Sequence, residues 1–261
     1  MNSEWIEHLI LGLIQGITEF LPISSTGHLV LIRNFFGINP ESNSAILTIL
    51  HLGTLSSLLV VEGKNLTKMI LSKHPFRNIE FHAIFITTLA TLIFYLSFQN
   101  LFESSFQDAG SVAIGLVFTA FILVYAELRK SKSFKNLRHT TFLDWIAIGF
   151  LQAVAIIPGV SRSGATIAGG LLIGMNRYDS VKFSFMLSIP VILGATLIKL
   201  ENIESYITAN PGPAMLGFLT AFTFGIWAMK FMLNYVKKNK LEPFAIYCLI
   251  LGFLSILVVS R

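Results

Sequence analysis

The sequence predicts an all-α polytopic membrane protein, with six transmembrane helices and two re-entrant helical hairpins in an inverted-topology repeat. Three observations lead there. Of the 261 residues, 54% are hydrophobic and 13% charged, against roughly 25% charged in soluble domains; mean hydropathy is +0.71. Apolar runs of membrane-crossing length recur along the whole chain. Two further apolar stretches are each interrupted near the middle by Pro, Gly and Ser.

A crossing helix needs about 20 mostly apolar residues. Segments 44–61, 82–101, 110–128, 180–199, 213–234 and 242–259 meet that length. The stretches 5–33 and 142–174 carry breaks at Leu21-Pro22-Ile23-Ser24-Ser25-Thr26-Gly27-His28 and at Pro158-Gly159-Val160-Ser161-Arg162-Ser163-Gly164. Proline in a helix interior removes a donor and clashes with the preceding turn. At membrane depth such a break is tolerated where protein or a watery cavity surrounds it. Each stretch therefore reads as a re-entrant hairpin, two half-helices with a polar tip near the midplane.

Loop charge agrees. Lys64, Lys68, Lys73 and Arg77 follow the first span, and Arg129, Lys130, Lys132, Lys135 and Arg138 follow the third. Arg177 precedes the fourth, and Lys237, Lys238 and Lys240 follow the fifth. These thirteen basic residues share one side if both hairpins return to the side they came from, and the positive-inside rule makes that side cytoplasmic. Glu103, Asp108, Glu201 and Glu204 then lie outside, with both termini. Confined to short loops between apolar runs, the basic residues do not make a nucleic-acid surface, although the net charge is +5. The acidic Glu4 and Glu7 stand where a cleavable signal peptide needs a basic region.

The chain reads as one membrane domain containing two repeats, 1–128 and 142–261. At an offset of 137, Leu11-Gly12-Leu13-Ile14-Gln15 aligns with Ile148-Gly149-Phe150-Leu151-Gln152, and Ser24-Ser25-Thr26-Gly27 with Ser161-Arg162-Ser163-Gly164. Each half is one hairpin and three spans. Three is odd, so the second half is inverted, the plan of many transporters.

Ionisable groups inside apolar segments are functional candidates by default. They are Glu19, His28, His51 and Arg162. Glu127, Lys182, Lys199 and Lys230, near segment ends, are expected to snorkel to the interface. Glu19 suits a divalent cation or a proton; the alternative is a buried pair with Arg162 that only ties the repeats together. His28 closes a run of Ser24, Ser25 and Thr26 and suits a base or a nucleophile. Arg162 is a fork-shaped cation fitted to phosphate. Ser161, Ser163 and Thr166 add donors beside it, while Gly159 and Gly164 let backbone amides approach an anion at the start of the following half-helix. Capping of that half-helix by Ser161 or Ser163 is compatible. The set suits phosphoryl transfer. Cysteine chemistry is excluded because Cys248 is the only cysteine and sits in an apolar run, and no Gly-Lys-Ser or Gly-Lys-Thr phosphate loop occurs in either break.

The runs Gln15-Gly16-Ile17-Thr18-Glu19-Phe20-Leu21-Pro22-Ile23-Ser24-Ser25-Thr26-Gly27-His28 and Pro158-Gly159-Val160-Ser161-Arg162-Ser163-Gly164-Ala165-Thr166 resemble the two signature motifs of the undecaprenyl-diphosphate phosphatase (BacA-type, bacitracin-resistance) family. The resemblance covers essentially the whole chain. It implies hydrolysis of undecaprenyl diphosphate to the monophosphate, which recycles the lipid carrier of peptidoglycan synthesis. It also implies Mg²⁺ or Ca²⁺, an active site open to the periplasmic side of the bacterial inner membrane, and a homodimer.

On that footing Arg162, Ser161, Ser163, Gly164, Thr166, Ser24 and Thr26 hold the diphosphate, and Glu19 with Gln15 holds the metal. Ser25 attacks the terminal phosphorus and His28 removes its proton; His28 or water as the nucleophile is equally lawful. One departure is Gln15, where the family often has Glu. His51 with Gln15 is expected to replace part of that role, as ligand or proton carrier; the alternative is a histidine hydrogen-bonded inside the bundle. The phosphatidate-phosphatase type is excluded, since Ala168 stands where it needs His. A transporter or flippase of polyprenyl phosphate is the rival reading, distinguished by transport without hydrolysis.

Overall fold

Backbone polar groups in an apolar medium must be satisfied within their own segment, so long apolar runs fold as helices. In the computed structural model all regular elements among the described residues are helical. The structure describes residues 3–36, 44–71, 78–98, 109–129 and 135–259. Lys73, Arg77, Lys130, Lys132, Glu103 and Asp108, and the last residues of the expected span 82–101, lie outside them.

The first broken stretch is α1 (Ser3–Thr18) and α2 (Ser25–Phe36). Next come α3 (Ser44–Ile70), α4 (Ile79–Ser97) and α5 (Ala109–Arg129). The second broken stretch is α6 (Phe142–Val154) and α7 (Arg162–Leu172). Then follow α8 (Arg177–Ile198), α9 (Leu200–Ala209), α10 (Pro211–Tyr235) and α11 (Glu242–Val259). Helix α3 runs well past the expected end at 61, and α9 was expected as loop.

Five helices (α3, α4, α5, α8 and α10) are long and apolar enough to cross a membrane. The sixth expected span is the 18-residue α11. Their outward faces are apolar: Phe85, Leu89, Ile93 and Leu96 form an exposed stripe along α4, as do Ile246, Ile250 and Phe253 along α11. A water-soluble surface does not carry contiguous apolar patches of that extent. The chain is a polytopic membrane protein.

The two breaks lie within the protein. Phe20, Leu21 and Ile23 of the first belong to the largest apolar core, with Val112, Leu116 and Leu123 of α5, Phe185 of α8, Met229 and Met232 of α10 and Cys248 of α11. The second break crosses α5 so closely that a Cβ on Gly115 would overlap the Pro158 carbonyl, and one on Gly159 (φ +87°) the Val112 carbonyl. Glycine is required at both positions for that approach.

The first helix of each broken stretch packs on the opposite half of the chain, α1 along α10 and α6 along α4. A Cβ on Gly12 would lie 2.6 Å from the Gly217 carbonyl, and one on Gly149 2.7 Å from the Thr87 carbonyl. The two glycines are the pair matched at the offset of 137.

Glu127 does not snorkel. Its side chain is 2% exposed and accepts both Arg177 Nε and Nη2 at 2.6 Å, together with the Leu241 N–H at 3.0 Å. A buried carboxylate must be paired, and this one ties α5, α8 and the start of α11 together. Lys199 sits on the rim of the cavity described next.

Candidate active site

A helix cannot continue through Leu21-Pro22, so α1 stops at Thr18 and the chain turns through residues 19–24 before α2 begins at Ser25. Ser24 takes φ 67°, the one positive φ among described non-glycine residues. In the second break Ser161 is the N-cap of α7, its hydroxyl accepting the Gly164 N–H at 3.0 Å. The two breaks meet in the interior, where Ser163 Oγ donates to the Leu21 carbonyl at 2.8 Å.

Between them lies a cavity of about 490 Å³. Glu19, Ser24, Ser25, Thr26, His51, Ser161, Arg162 and Ser163 line it. Its outer reaches are formed by Leu47 and Thr48 near the start of α3 and by Thr196 and Lys199 at the end of α8.

Glu19, 6% exposed, is the hub. Its Oε1 accepts from Arg162 Nη2 at 2.7 Å. Its Oε2 accepts from Ser25 Oγ at 2.7 Å and from Gln15 Nε2 at 3.0 Å. His51 Nε2 stands 3.7 Å from the same oxygen. The His51 Nδ1 donates to the Leu47 carbonyl at 2.7 Å, since a carbonyl only accepts, and this leaves Nε2 as the ring nitrogen that faces Glu19. Arg162 also donates Nη1 to the Ser184 carbonyl at 3.1 Å. Three of its five N–H groups remain for an anion.

Four expected site residues stand elsewhere. His28 is turned away from the cavity, with Nδ1 on the Ser24 carbonyl at 2.7 Å and Nε2 on Tyr247 Oη at 2.6 Å. Thr166 is fully buried and bonds the Arg162 carbonyl and Ser184 Oγ, behind the arginine rather than in front of it. Gly164 is buried against Ser161 and Thr119. Gln15 lies one turn behind Glu19, buried, with Nε2 on the carboxylate and Oε1 without a hydrogen-bond partner.

Thr119, Ser184, Tyr247 and Cys248 support the site without having been legible in the chain. Thr119 Oγ1 accepts the Ser161 N–H at 2.9 Å and donates to the Gly159 carbonyl at 3.3 Å. Hydroxyls inside spans are common, and nothing local marks these. Gln152 was visible as the partner of Gln15 in the repeat, and it too is buried with Oε1 free of partners, on the cavity wall.

Among the described residues no three His, Cys, Asp or Glu side chains cluster as a metal cage would require. Glu19 is a hard oxygen donor on the cavity, and Gln15 brings its orphaned Oε1 beside it once the amide turns over, since Nε2 now faces the carboxylate. They fit a cation that takes its remaining ligands from phosphate oxygens and water, the usual habit of Mg²⁺.

An arginine with donors left over, hydroxyls and a helix N-terminus line a cavity inside a bundle of apolar-faced helices, a set of groups that suits an anion in a polytopic membrane protein. Known proteins narrow the class. The family described as bacitracin resistance protein BacA matches residues 8–254, and the chain belongs to it. The undecaprenyl-diphosphatase of Carboxydothermus hydrogenoformans is 42% identical, covering 100% of this chain and 98% of that protein. Those of Bacteroides fragilis and Thermosipho africanus are 40% and 35% identical, over 98% and 97% of this chain and 98% and 100% of their own.

Proposed function

We propose that this chain hydrolyses undecaprenyl diphosphate to undecaprenyl phosphate and inorganic phosphate, recycling the lipid carrier of peptidoglycan synthesis and conferring bacitracin resistance. The observation that carries the reading is the Ser25 hydroxyl on Glu19 Oε2 at 2.7 Å, beside an Arg162 with donors to spare.

The terminal phosphate sits against the free N–H groups of Arg162 at the N-terminus of α7, in a pocket walled by Ser161 and Ser163, with Ser24 and Thr26 also lining it. Ser25 Oγ attacks the terminal phosphorus while Glu19 Oε2 takes its proton. The bond from phosphorus to the bridging oxygen breaks, and the lipid monophosphate leaves with the electron pair and the proton from Glu19. Water then attacks the phosphoserine, Glu19 accepts its proton and returns one to Ser25, and phosphate departs. Mg²⁺ or Ca²⁺, held by Glu19 and Gln15 Oε1, would neutralise charge on the diphosphate oxygens. His51, its Nε2 facing Glu19 at 3.7 Å, covers with Gln15 part of the role of a second carboxylate, as ligand or proton carrier.

The same reading makes the broken stretches re-entrant, in an inverted repeat with six crossing helices. The crossed packing of α1 on α10 and α6 on α4 supports it. It places the protein in the bacterial inner membrane as a homodimer, with the cavity open to the periplasm. The cavity rim at Thr48 and Lys199 supports that orientation, since Lys64 and Lys68 occupy the far end of α3.

The test is phosphate release from a C55 or shorter prenyl diphosphate by purified protein in detergent, with Mg²⁺, Ca²⁺ or chelator, beside Arg162→Ala. Metal-dependent release that collapses in the variant is expected. Folded protein that releases no phosphate but moves polyprenyl phosphate across vesicles would replace the hydrolase by a transporter.

A further inference from the structure

The tip that carries Ser25 is held from outside its own motif. Ser24, at φ 67°, adopts a backbone conformation that side chains disfavour, so neighbouring contacts must maintain it. Its carbonyl accepts the His28 Nδ1–H at 2.7 Å and the His28 backbone N–H at 3.2 Å. Its hydroxyl accepts the Gly27 N–H at 3.2 Å. Because Nδ1 is committed as a donor, Nε2 of the neutral ring is an acceptor, and Tyr247 Oη supplies its proton at 2.6 Å. The two rings lie within 1° of parallel, centroids 5.6 Å apart. The next residue on α11, Cys248, reaches the Pro22 carbonyl with its thiol at 3.6 Å. Adjacent residues of the last helix thus grip the tip on both sides of Ser25.

We propose that Tyr247 is a positioning residue for hydrolysis. By holding the His28 ring it fixes Ser24 and so sets the Ser25 hydroxyl on Glu19. His28 is the middle link of this chain, not the group that attacks phosphorus or takes the proton of Ser25. Both of its ring nitrogens are occupied, and it does not line the cavity. The inference rests on the phosphatase reading and adds to it a residue more than 200 positions from the serine it places.

The experiment compares wild type, Tyr247→Phe, His28→Asn and His28→Ala in detergent. Steady-state phosphate release is measured alongside thermal stability and ¹⁵N spectra of histidine-labelled protein. Displacing a reacting group by about 1 Å costs about a hundredfold in rate. Tyr247→Phe is therefore expected to lower kcat by about tenfold to a hundredfold with KM within about twofold, and to move the His28 Nε2 resonance. Asparagine retains an N–H donor where His28 Nδ1 stands, so His28→Asn is expected to recover much of the rate lost in His28→Ala.

An unchanged kcat in Tyr247→Phe would overturn the proposal. So would His28→Asn as inactive as His28→Ala together with a trapped phosphohistidine. Wild type that hydrolyses nothing would instead remove the phosphatase reading itself, which separates the two failures.

Discussion

Replacing Glu19 by glutamine separates its chemical duty from its structural one. The carboxylate accepts three hydrogen bonds, from Arg162, Ser25 and Gln15. A glutamine can keep its carbonyl on Arg162 Nη2 and turn its amide toward Ser25 and Gln15. Ser25 can accept that amide proton, and Gln15 can rotate its orphaned Oε1 into the place of Nε2. The hydrogen bonds are then made again, but those from Ser25 and Gln15 become neutral and Arg162 loses its counterion; breaking a sealed pair costs about 3–5 kcal/mol, and the cost here is lower because Arg162 faces the cavity.

Catalysis has no such escape, because an amide cannot take the proton of Ser25. Removal of a positioned base costs about a hundredfold to ten-thousandfold, or about 3–5 kcal/mol of barrier. Glu19→Gln should therefore fold in detergent with a lowered melting temperature, while kcat of the folded protein for prenyl diphosphate hydrolysis falls by at least about a hundredfold. A variant retaining more than about half of the wild-type kcat would show that Glu19 is not the acceptor for Ser25, since the removal of a working base cannot be that mild.

Three other outcomes follow from the same geometry. Arg162→Lys keeps the charge but cannot serve Glu19, Ser184 and phosphate together; kcat/KM should fall by about tenfold to a hundredfold, read by phosphate release at low substrate. Arg177→Ala removes both guanidinium hydrogen bonds from the buried Glu127, which should cost about 3–5 kcal/mol and lower the melting temperature while kcat of the surviving folded fraction holds, since neither residue lines the cavity. Gly159→Ala adds a Cβ onto the Val112 carbonyl at a positive φ; it should reduce both thermal stability and kcat, and a variant as stable as wild type would show that the crossing of the second break over α5 can relax.

The apolar runs, the two breaks and the buried charges were all legible in the chain because each is a local property. A run of twenty apolar residues meets one solvent wherever it lies, and a proline breaks the helix that contains it. Thus 242–259 appears as α11 at the expected bounds, and the hairpin segments 5–33 and 142–174 appear as helix, break, helix. Glu19, Ser25 and Arg162 were legible as a group for the same reason: charges and hydroxyls at a broken helix are costly unless they face one another or a polar cavity.

Tertiary packing alone decided which way each side chain turned. His28 and His51 are both histidines bonded through Nδ1 to the carbonyl four residues earlier. Only contacts from distant helices separate them: Tyr247 on α11 draws the first out of the cavity, while the second faces Glu19. Thr166 lies one turn from Arg162 yet is sealed behind it by Ser184 of α8. Glu127 read as an interfacial carboxylate until Arg177, fifty residues away, closed on it. Local spacing puts residues on a helix; where they point in the interior depends on partners on other elements, from a few turns to more than 200 positions along the chain, and those exist only once the helices have packed.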